Sequence, residues 1–447
     1  MAAPAVARRP LAAGGRHRER HLTTGCLPGG KPVAASGRRP AGPGAHRMSG
    51  GPGGGGASPP GPLSGIRVLE LGGGQPGAYA CWVLARLGAD VVVLEPRGAP
   101  GAAAATAAAK PDRLALHAGK RRLVLDASRP GQDEIALRVA ARSDAIVSSL
   151  PGRAAEALGL TPEAVRDASP GTVYARATAS GSIAAAADAP MADIVAQAAG
   201  GLAWKTGRDG DPPAAAGAAL GEHGAGAYLL AAVLGGLAQA ALTGRGAAVE
   251  VSLAGSQIAL QSWEIGAESV LGRDSGRAGL GHPEVSPGAI WGAFGTRDGW
   301  LVLGSVDAVR FVRLCALMDL PELAARYPDD RSRSAGIPEI VEELRKRFSV
   351  HDCSHWLELF SEHDIMGARV NGYDDVIADE QAWANGYLRT RPDSGGTVVA
   401  GSPIQFDGPP AVTSGPEALR DEDPGSLLRE LGYGPEEISA LRAAGVL

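Results

Sequence analysis

A tight turn of glycines is the first place where this sequence could do chemistry. Gly72, Gly74 and Gly77 follow the apolar run IRVLEL and open a helical stretch, with Glu95 about twenty residues on at the end of DVVVLEP. A G-x-G-x-x-G turn between strand and helix, followed by such an acid, is the pattern of an NAD site: pyrophosphate on the helix N–H groups, the acid on the ribose hydroxyls. Pro76 weakens that reading, because it has no N–H to offer at the helix start. A tight strand–helix turn, with Glu95 as a plain strand-end acid, explains the same residues. Glu222 and His223 stand together at the head of a small-residue run, GEHGAG. A carboxylate is favoured there by the helix dipole alone, and a histidine beside it could act as an acid or base. His351, Cys353 and His355 form a third cluster, but their spacing is not a zinc pattern. Trp356 and Leu357 continue it as an amphipathic helix, so no metal is expected. G-x-S-x-G, P-loop and H-E-x-x-H motifs are absent.

The elements around these residues alternate. Short apolar strands are expected at 66–71, 90–96, 121–127, 144–150 and 172–178, with helical spacing at 75–89 and through Ile135, Leu137 and Val139. Such alternation implies a mostly parallel sheet covered by helices on both faces. An Ala/Gly-rich helical region fills 192–242, interrupted near Gly207–Pro213, and VEVSL at 249–253 resumes strand character. From 288 the pattern changes to a hairpin turning at Arg297–Gly299, then amphipathic helices. Residues 281–365 therefore read as a smaller α+β domain. Residues 366–447 return to short strands and end in the helix PEEISALRAA.

Length and composition set outer limits. At 447 residues the chain is long enough for two or three domains. No uninterrupted run of apolar residues is long enough to span a membrane. Four cysteines, at 26, 81, 315 and 353, make neither a disulfide framework nor a C-x-x-C pair, which suits a reducing, cytoplasmic setting. The net charge of -5 argues against a nucleic-acid partner. Residues 1–61 are set apart: the first 60 carry eight Arg, one Lys and a single acid, and the rest of the chain stands near -13 once that +8 is set aside. This arm ends in GGPGGGGASPPGP and is expected to be disordered. Its composition also suits a transit peptide, but Met48 looks like a second, more natural start.

The stretch LSGIRVLELGGGQPGAYACWVLARLGADVVVLEPRG resembles the opening of the class III CoA-transferases, the CaiB/BaiF or formyl-CoA:oxalate group. Similarity continues in order through GKRRLVLDASRPG, DAIVSSLPGRAAEALGL, MADIVAQAAGGLAWKTG, the long segment ending in TGRGAAVEVSL, and the final LLRELGYGPEEISALRAAGVL. The resemblance implies an α/β fold: a Rossmann-like large domain built from both chain ends, a small inserted domain, and two interlocked chains. Residues 62–280 and 366–447 would then form the large CoA-binding domain. It also implies a reaction. A family carboxylate attacks an acyl-CoA thioester, forms a mixed anhydride, and is converted by the released thiolate into an enzyme–CoA thioester; an acceptor acid then reverses the sequence. That divides one hard exchange into easier ones.

The matching position here is Glu222, where the family has Asp. Its carboxylate lies one methylene further out, so either the pocket has adjusted or the site is altered. By the same resemblance Gly74, Gln75 and Pro76 lie at the CoA thioester end, Leu125 falls where the family touches adenine, and Arg97 and Arg129 could meet CoA phosphates. Asp193 and His223 are candidate substrate neighbours. The chain departs from the pattern at Ser148–Leu150, where the family reads Glu-Asn-Phe, and at Ala157, where it has Arg. The racemase branch has His where this chain has Ala192, so that chemistry loses its acid/base partner. The expected protein is a CoA-transferase using acyl-CoA and a carboxylic acid, with no permanently bound cofactor, as a homodimer. The alternatives are an inactive acyl-CoA-binding member of the same fold and an NAD-dependent oxidoreductase.

Overall fold

The structure is a computed structural model. It describes residues 61–72, 74–97, 115–126, 128–129, 131–181, 192–272, 276–277, 288–391, 396–406, 420–421 and 423–447. The basic arm expected at the N-terminus lies outside the described residues, except for residue 61.

Twelve strands are present among the described residues: β1 Arg67–Leu71, β2 Asp90–Arg97, β3 Arg121–Asp126, β4 Ala145–Ser148, β5 Val173–Thr178, β6 Ala248–Ser252, β7 Ile290–Thr296, β8 Gly299–Val306, β9 Gly367–Arg369, β10 Leu388–Thr390, β11 Val398–Ala400 and β12 Arg420–Asp421. The main sheet runs β12-β3-β2-β1-β4-β5-β6, and every pairing in it is parallel. The chain leaves β1 towards β2 on one side and returns on the other side as β4. In open parallel sheets the crevice above such a reversal is where ligands bind.

The central strands read as continuous apolar runs because both faces of the sheet are covered. Side chains alternate between the faces. Leu69, Leu71, Leu94, Leu123, Leu125 and Ile146 point to one core, which takes in Ile135 and Val139 of the Gln132–Ala141 helix and Leu428 and Ile438 near the C-terminus. Val68, Val91, Ala145, Val147 and Ala175 point to the other. There they meet Ala80 and Leu84 of the Gln75–Arg86 helix and Ala225, Leu229 and Val233 of the Leu220–Thr243 helix. The C-terminal segment thus rejoins the first half of the chain, with β12 paired to β3.

A separate core lies under β7 and β8. Phe294, Leu301 and Leu303 pack there against Phe311 and Leu314 of the Ala308–Leu317 helix, Leu344 and Phe348 of the Asp330–Phe348 helix, and Trp356 and Phe360 of the Cys353–Glu362 helix. The hairpin turns between Thr296 and Gly299, as the sequence suggests. One boundary differs: β9 adds to β8 as the third strand, so this small sheet draws on residues just past 365. The Ala/Gly-rich stretch is three helices, Asp193–Ala199, Leu202–Lys205 and Leu220–Thr243, the last two separated by the expected Gly/Pro break. The Leu220–Thr243 helix is long and apolar enough to cross a membrane by length and composition. Its Ala225, Leu229 and Val233, however, are fully buried against the sheet.

Candidate active site at the sheet reversal

Two helices begin at the C-terminal edge of the sheet, beside the β1–β4 reversal. Both lack a capping side chain of their own. The Gln75–Arg86 helix has Gly74 at its N-cap, and the Leu220–Thr243 helix has Ala219. An uncapped helix start leaves backbone N–H groups without partners. In each case a distant residue supplies the acceptor to the third helical residue.

For the first helix the donor is Gly77 N–H, bound by Ser149 Oγ at 2.8 Å. Ser149 follows β4 directly, so the reversal brings it across to the turn after β1. A Cβ on Gly77 would lie 2.6 Å from Ser149 Oγ, and one on Gly74 would lie 3.0 Å from Ser149 Cβ. These glycines are therefore explained by the serine that presses on them. The N–H that a pyrophosphate would use is already taken, and Pro76 has none. Glu95 is equally committed: Arg122 Nε and a terminal nitrogen donate to its Oε2 at 2.9 and 2.6 Å. The dinucleotide reading thus loses the Gly77 donor and finds none at Pro76, and its ribose acceptor is held in an ion pair with Arg122. Gln75, the first residue of the helix, is half-buried at the reversal.

For the second helix the donor is Glu222 N–H, bound by Asp193 Oδ1 at 3.0 Å. Asp193 opens its own short helix, and its Oδ2 accepts from Gln197 Nε2 at 2.5 Å. Gln197 is fully buried; its Nε2 also donates to Ala218 O at 3.3 Å, and its Oε1 accepts from Ala216 N–H at 2.9 Å. Gln257, also fully buried, donates to Leu220 O at 3.0 Å. Side chains from two other helices thus fix the start of the Leu220–Thr243 helix. Gly221 is needed there, since a Cβ would lie 2.7 Å from Asp193 O.

Glu222 stands at the head of the stripe formed by Ala225, Gly226, Leu229 and Val233, the line of positions three and four apart that faces the core. It is half-buried. Burial raises its carboxyl above the usual glutamate range, and the Asp193 charge adds to the rise. His223 turns towards the first helix, and its ring stacks on Tyr79 at 4.7 Å between centroids. Burial lowers the imidazole below its ordinary value, with Asp193 opposing. Its Nε2 is buried with no hydrogen-bond partner. One turn below Glu222 the two helices nearly touch: a Cβ on Gly226 would lie 2.8 Å from Pro76 O and 3.0 Å from Tyr79 Cβ.

The structure therefore brings together Gly74, Gln75 and Pro76 on one helix start and Glu222, His223 and Asp193 about the other. The remaining residues lie further along the same sheet edge. Leu125, on β3, is fully buried in the core. Arg129 follows β3, half-exposed, with its Nε 3.7 Å from Asp126 Oδ2. Arg97 ends β2. Sequence reasoning treats Ser149 only as part of a departure from the family pattern and does not single out Gln197; Ser149 reaches Gly77 across 72 residues, and Gln197 ties Asp193 to Ala216 and Ala218. The His351–Cys353–His355 group is elsewhere, on the small sheet's helices, with the two imidazole rings 4.1 Å apart and Cys353 buried. Among the described residues no three His, Cys, Asp or Glu side chains are grouped to hold a metal.

Residues 63–421 match the family model for CoA-transferase family III. The chain is 30% identical over 421 residues to the formyl-CoA:oxalate CoA-transferase of Streptomyces avermitilis, covering 86% of this chain and 99% of that one. It is 28% identical over 401 residues to human succinyl-CoA:glutarate CoA-transferase, covering 86% and 90%. Among solved structures, a CaiB/BaiF family protein from Brucella suis shares the fold, with a TM-score of 0.73, 22% identity, and coverage of 83% of this chain and all of that one.

Proposed function

The chain belongs to CoA-transferase family III, and on that premise we propose that it moves CoA between an acyl-CoA and a carboxylic acid, with Glu222 as the nucleophile. One observation carries the reading: the Glu222 carboxylate heads the inward stripe of its helix, half-buried at the sheet reversal, with its own N–H held by Asp193. The carboxylate attacks the thioester carbonyl, the C–S bond breaks, and CoA thiolate leaves a mixed anhydride. The thiolate then attacks the Glu222 carbonyl, releasing the donor acid and leaving a glutamyl–CoA thioester. The acceptor carboxylate attacks that thioester, and the thiolate closes the cycle on the acceptor's carbonyl. Each step is an acyl transfer between groups of similar reactivity, so no single barrier carries the whole exchange.

Gly74, Gln75 and Pro76 meet the thioester end, where the small turn residues let a ligand approach the backbone. Arg97, which ends β2, and Arg129, just after β3, are the residues we assign to the CoA phosphates. Residues 62–280 with the chain after β9 act as the CoA-binding body, and 281–365 with β9 added as the small domain. Relatives are named for formyl, acetyl and succinyl donors and for oxalate, glutarate and mesaconate acceptors; they support a reaction class rather than one substrate pair. A second copy of the chain completes the assembly. Trp204, Tyr228, Ile258, Leu260 and Trp263 are exposed, and large apolar side chains left in water are the kind of surface a partner chain covers. Sedimentation at micromolar concentration should give twice the chain mass.

The direct test incubates the protein with a panel of acyl-CoA donors and acids and reads new CoA esters by mass spectrometry. Transfer that disappears in Glu222→Gln supports the reading. Glu222→Asp withdraws the carboxylate by one methylene, and misplacement of about 1 Å lowers rates roughly 10²-fold. Transfer surviving in Glu222→Ala would remove this residue from the reaction.

A further inference from the structure

Beneath the helix that carries Gln75 lies a buried ion pair that the reaction itself does not use. Glu70, on β1, is 2% exposed and faces the side of the sheet where Ala80 and Leu84 pack. Lys120, just before β3, is fully buried. Its Nζ donates to Glu70 Oε2 at 2.6 Å and to the Ala78 carbonyl at 2.9 Å. The Cys81 thiol lies close enough that Glu70's charge adds to the rise burial imposes on it. Two desolvated charges are a poor source of stability, since a well-packed apolar pair often does as well. What the pair does supply is a fixed place. Ala78 belongs to the first turn of the Gln75–Arg86 helix, so Lys120 sets that turn against β1. The other side of the same turn meets the helix of Glu222: Pro76 O and Tyr79 limit Gly226, and Tyr79 stacks on His223.

We propose that Lys120, held by Glu70, is a positioning residue that fixes the Gln75 turn against the helix of Glu222. The proposal rests on the reading of Glu222 as nucleophile for its kinetic consequence, but not for its structural one. The test uses the full chain with Glu70→Leu and Lys120→Met combined, which removes both charges together. Three quantities are read: the urea unfolding midpoint, the His223 imidazole titration by NMR, and kcat and KM for the acyl-CoA. The expected variant is folded, its kcat falls about 10- to 100-fold from misplacement of the two helices, and KM changes less than about threefold. The His223 pKa rises towards the ordinary value as the Tyr79 stack loosens. Should that variant not fold, Glu70→Gln with Lys120→Met keeps a polar group of the same shape on β1 and is read in the same way. A folded variant with His223 titrating as in the wild type, or with unchanged kcat, overturns the proposal. If the wild type itself shows no transfer, the catalytic reading is what fails, and the His223 titration alone still decides whether the pair sets the turn.

Discussion

Replacing Asp193 separates what holds the site from what reacts in it. Its carboxylate accepts from Glu222 N–H through Oδ1 and from Gln197 Nε2 through Oδ2. Because Ala219 brings no acceptor of its own, Asp193 acts as the missing helix cap, and losing such a cap costs about 1 kcal/mol. Asp193→Ala also strips the buried Gln197 Nε2 of one acceptor. A fully orphaned donor costs about 1–3 kcal/mol, but Ala218 O remains at 3.3 Å, so only part of that is lost. The total is about 2 kcal/mol of unfolding free energy, read by urea denaturation at pH 7. Asp193→Asn keeps an oxygen for Glu222 N–H but turns an amide donor towards Gln197, and should lose about half as much. The charge has a second effect. Burial raises the Glu222 carboxyl and Asp193 adds to it, so either substitution brings that carboxyl down. Glu222 must be ionised to attack, so the acid limb of the rate profile should move to lower pH in Asp193→Asn. Stability of Asp193→Ala within about 0.5 kcal/mol of wild type, or an acid limb that does not move, would refute this reasoning.

Two further outcomes follow from the same geometry. Gly226→Ala places a methyl 2.8 Å from Pro76 O; overpacking of about 1–3 kcal/mol, offset by up to about 1 kcal/mol of helix propensity, should leave a net loss by denaturation and a lower kcat. Glu222→Gln should stabilise the folded protein at pH 7–8. A raised carboxyl contributes stability that is complete below the unfolded glutamate pKa, about 4.3, and is lost as pH rises through the folded value, so the gain in Tm by calorimetry should vanish near pH 4; a gain that persists there contradicts the assignment.

The main sheet was legible because its central strands are buried on both faces, which makes IRVLEL, DVVVLEP and RRLVLDA stand out as apolar runs between turns. The hairpin between β7 and β8 and the helices after it were legible from periodicity. The glycine turn was legible as a turn but ambiguous in purpose. Its spacing satisfies a phosphate-binding pattern, yet Gly74 and Gly77 are small because Ser149 presses on them from 72 residues along the chain in the case of Gly77. The Asp193 cap spans 29 residues and the Lys120–Glu70 pair 50. No local propensity encodes such contacts; they exist only once the sheet order is set. The same holds for β12, two residues long, which joins β3 because the C-terminal helices pack back on the first core.

A nucleophilic Glu222 must pass through a covalent bond to the acyl group or to CoA. Incubation of the protein with an acyl-CoA, addition of hydroxylamine, and peptide mass mapping would read it directly. A hydroxamate should appear on the peptide that contains Glu222, dependent on acyl-CoA and absent from Glu222→Gln. A hydroxamate on another carboxylate, or none in a preparation that transfers CoA, would contradict it.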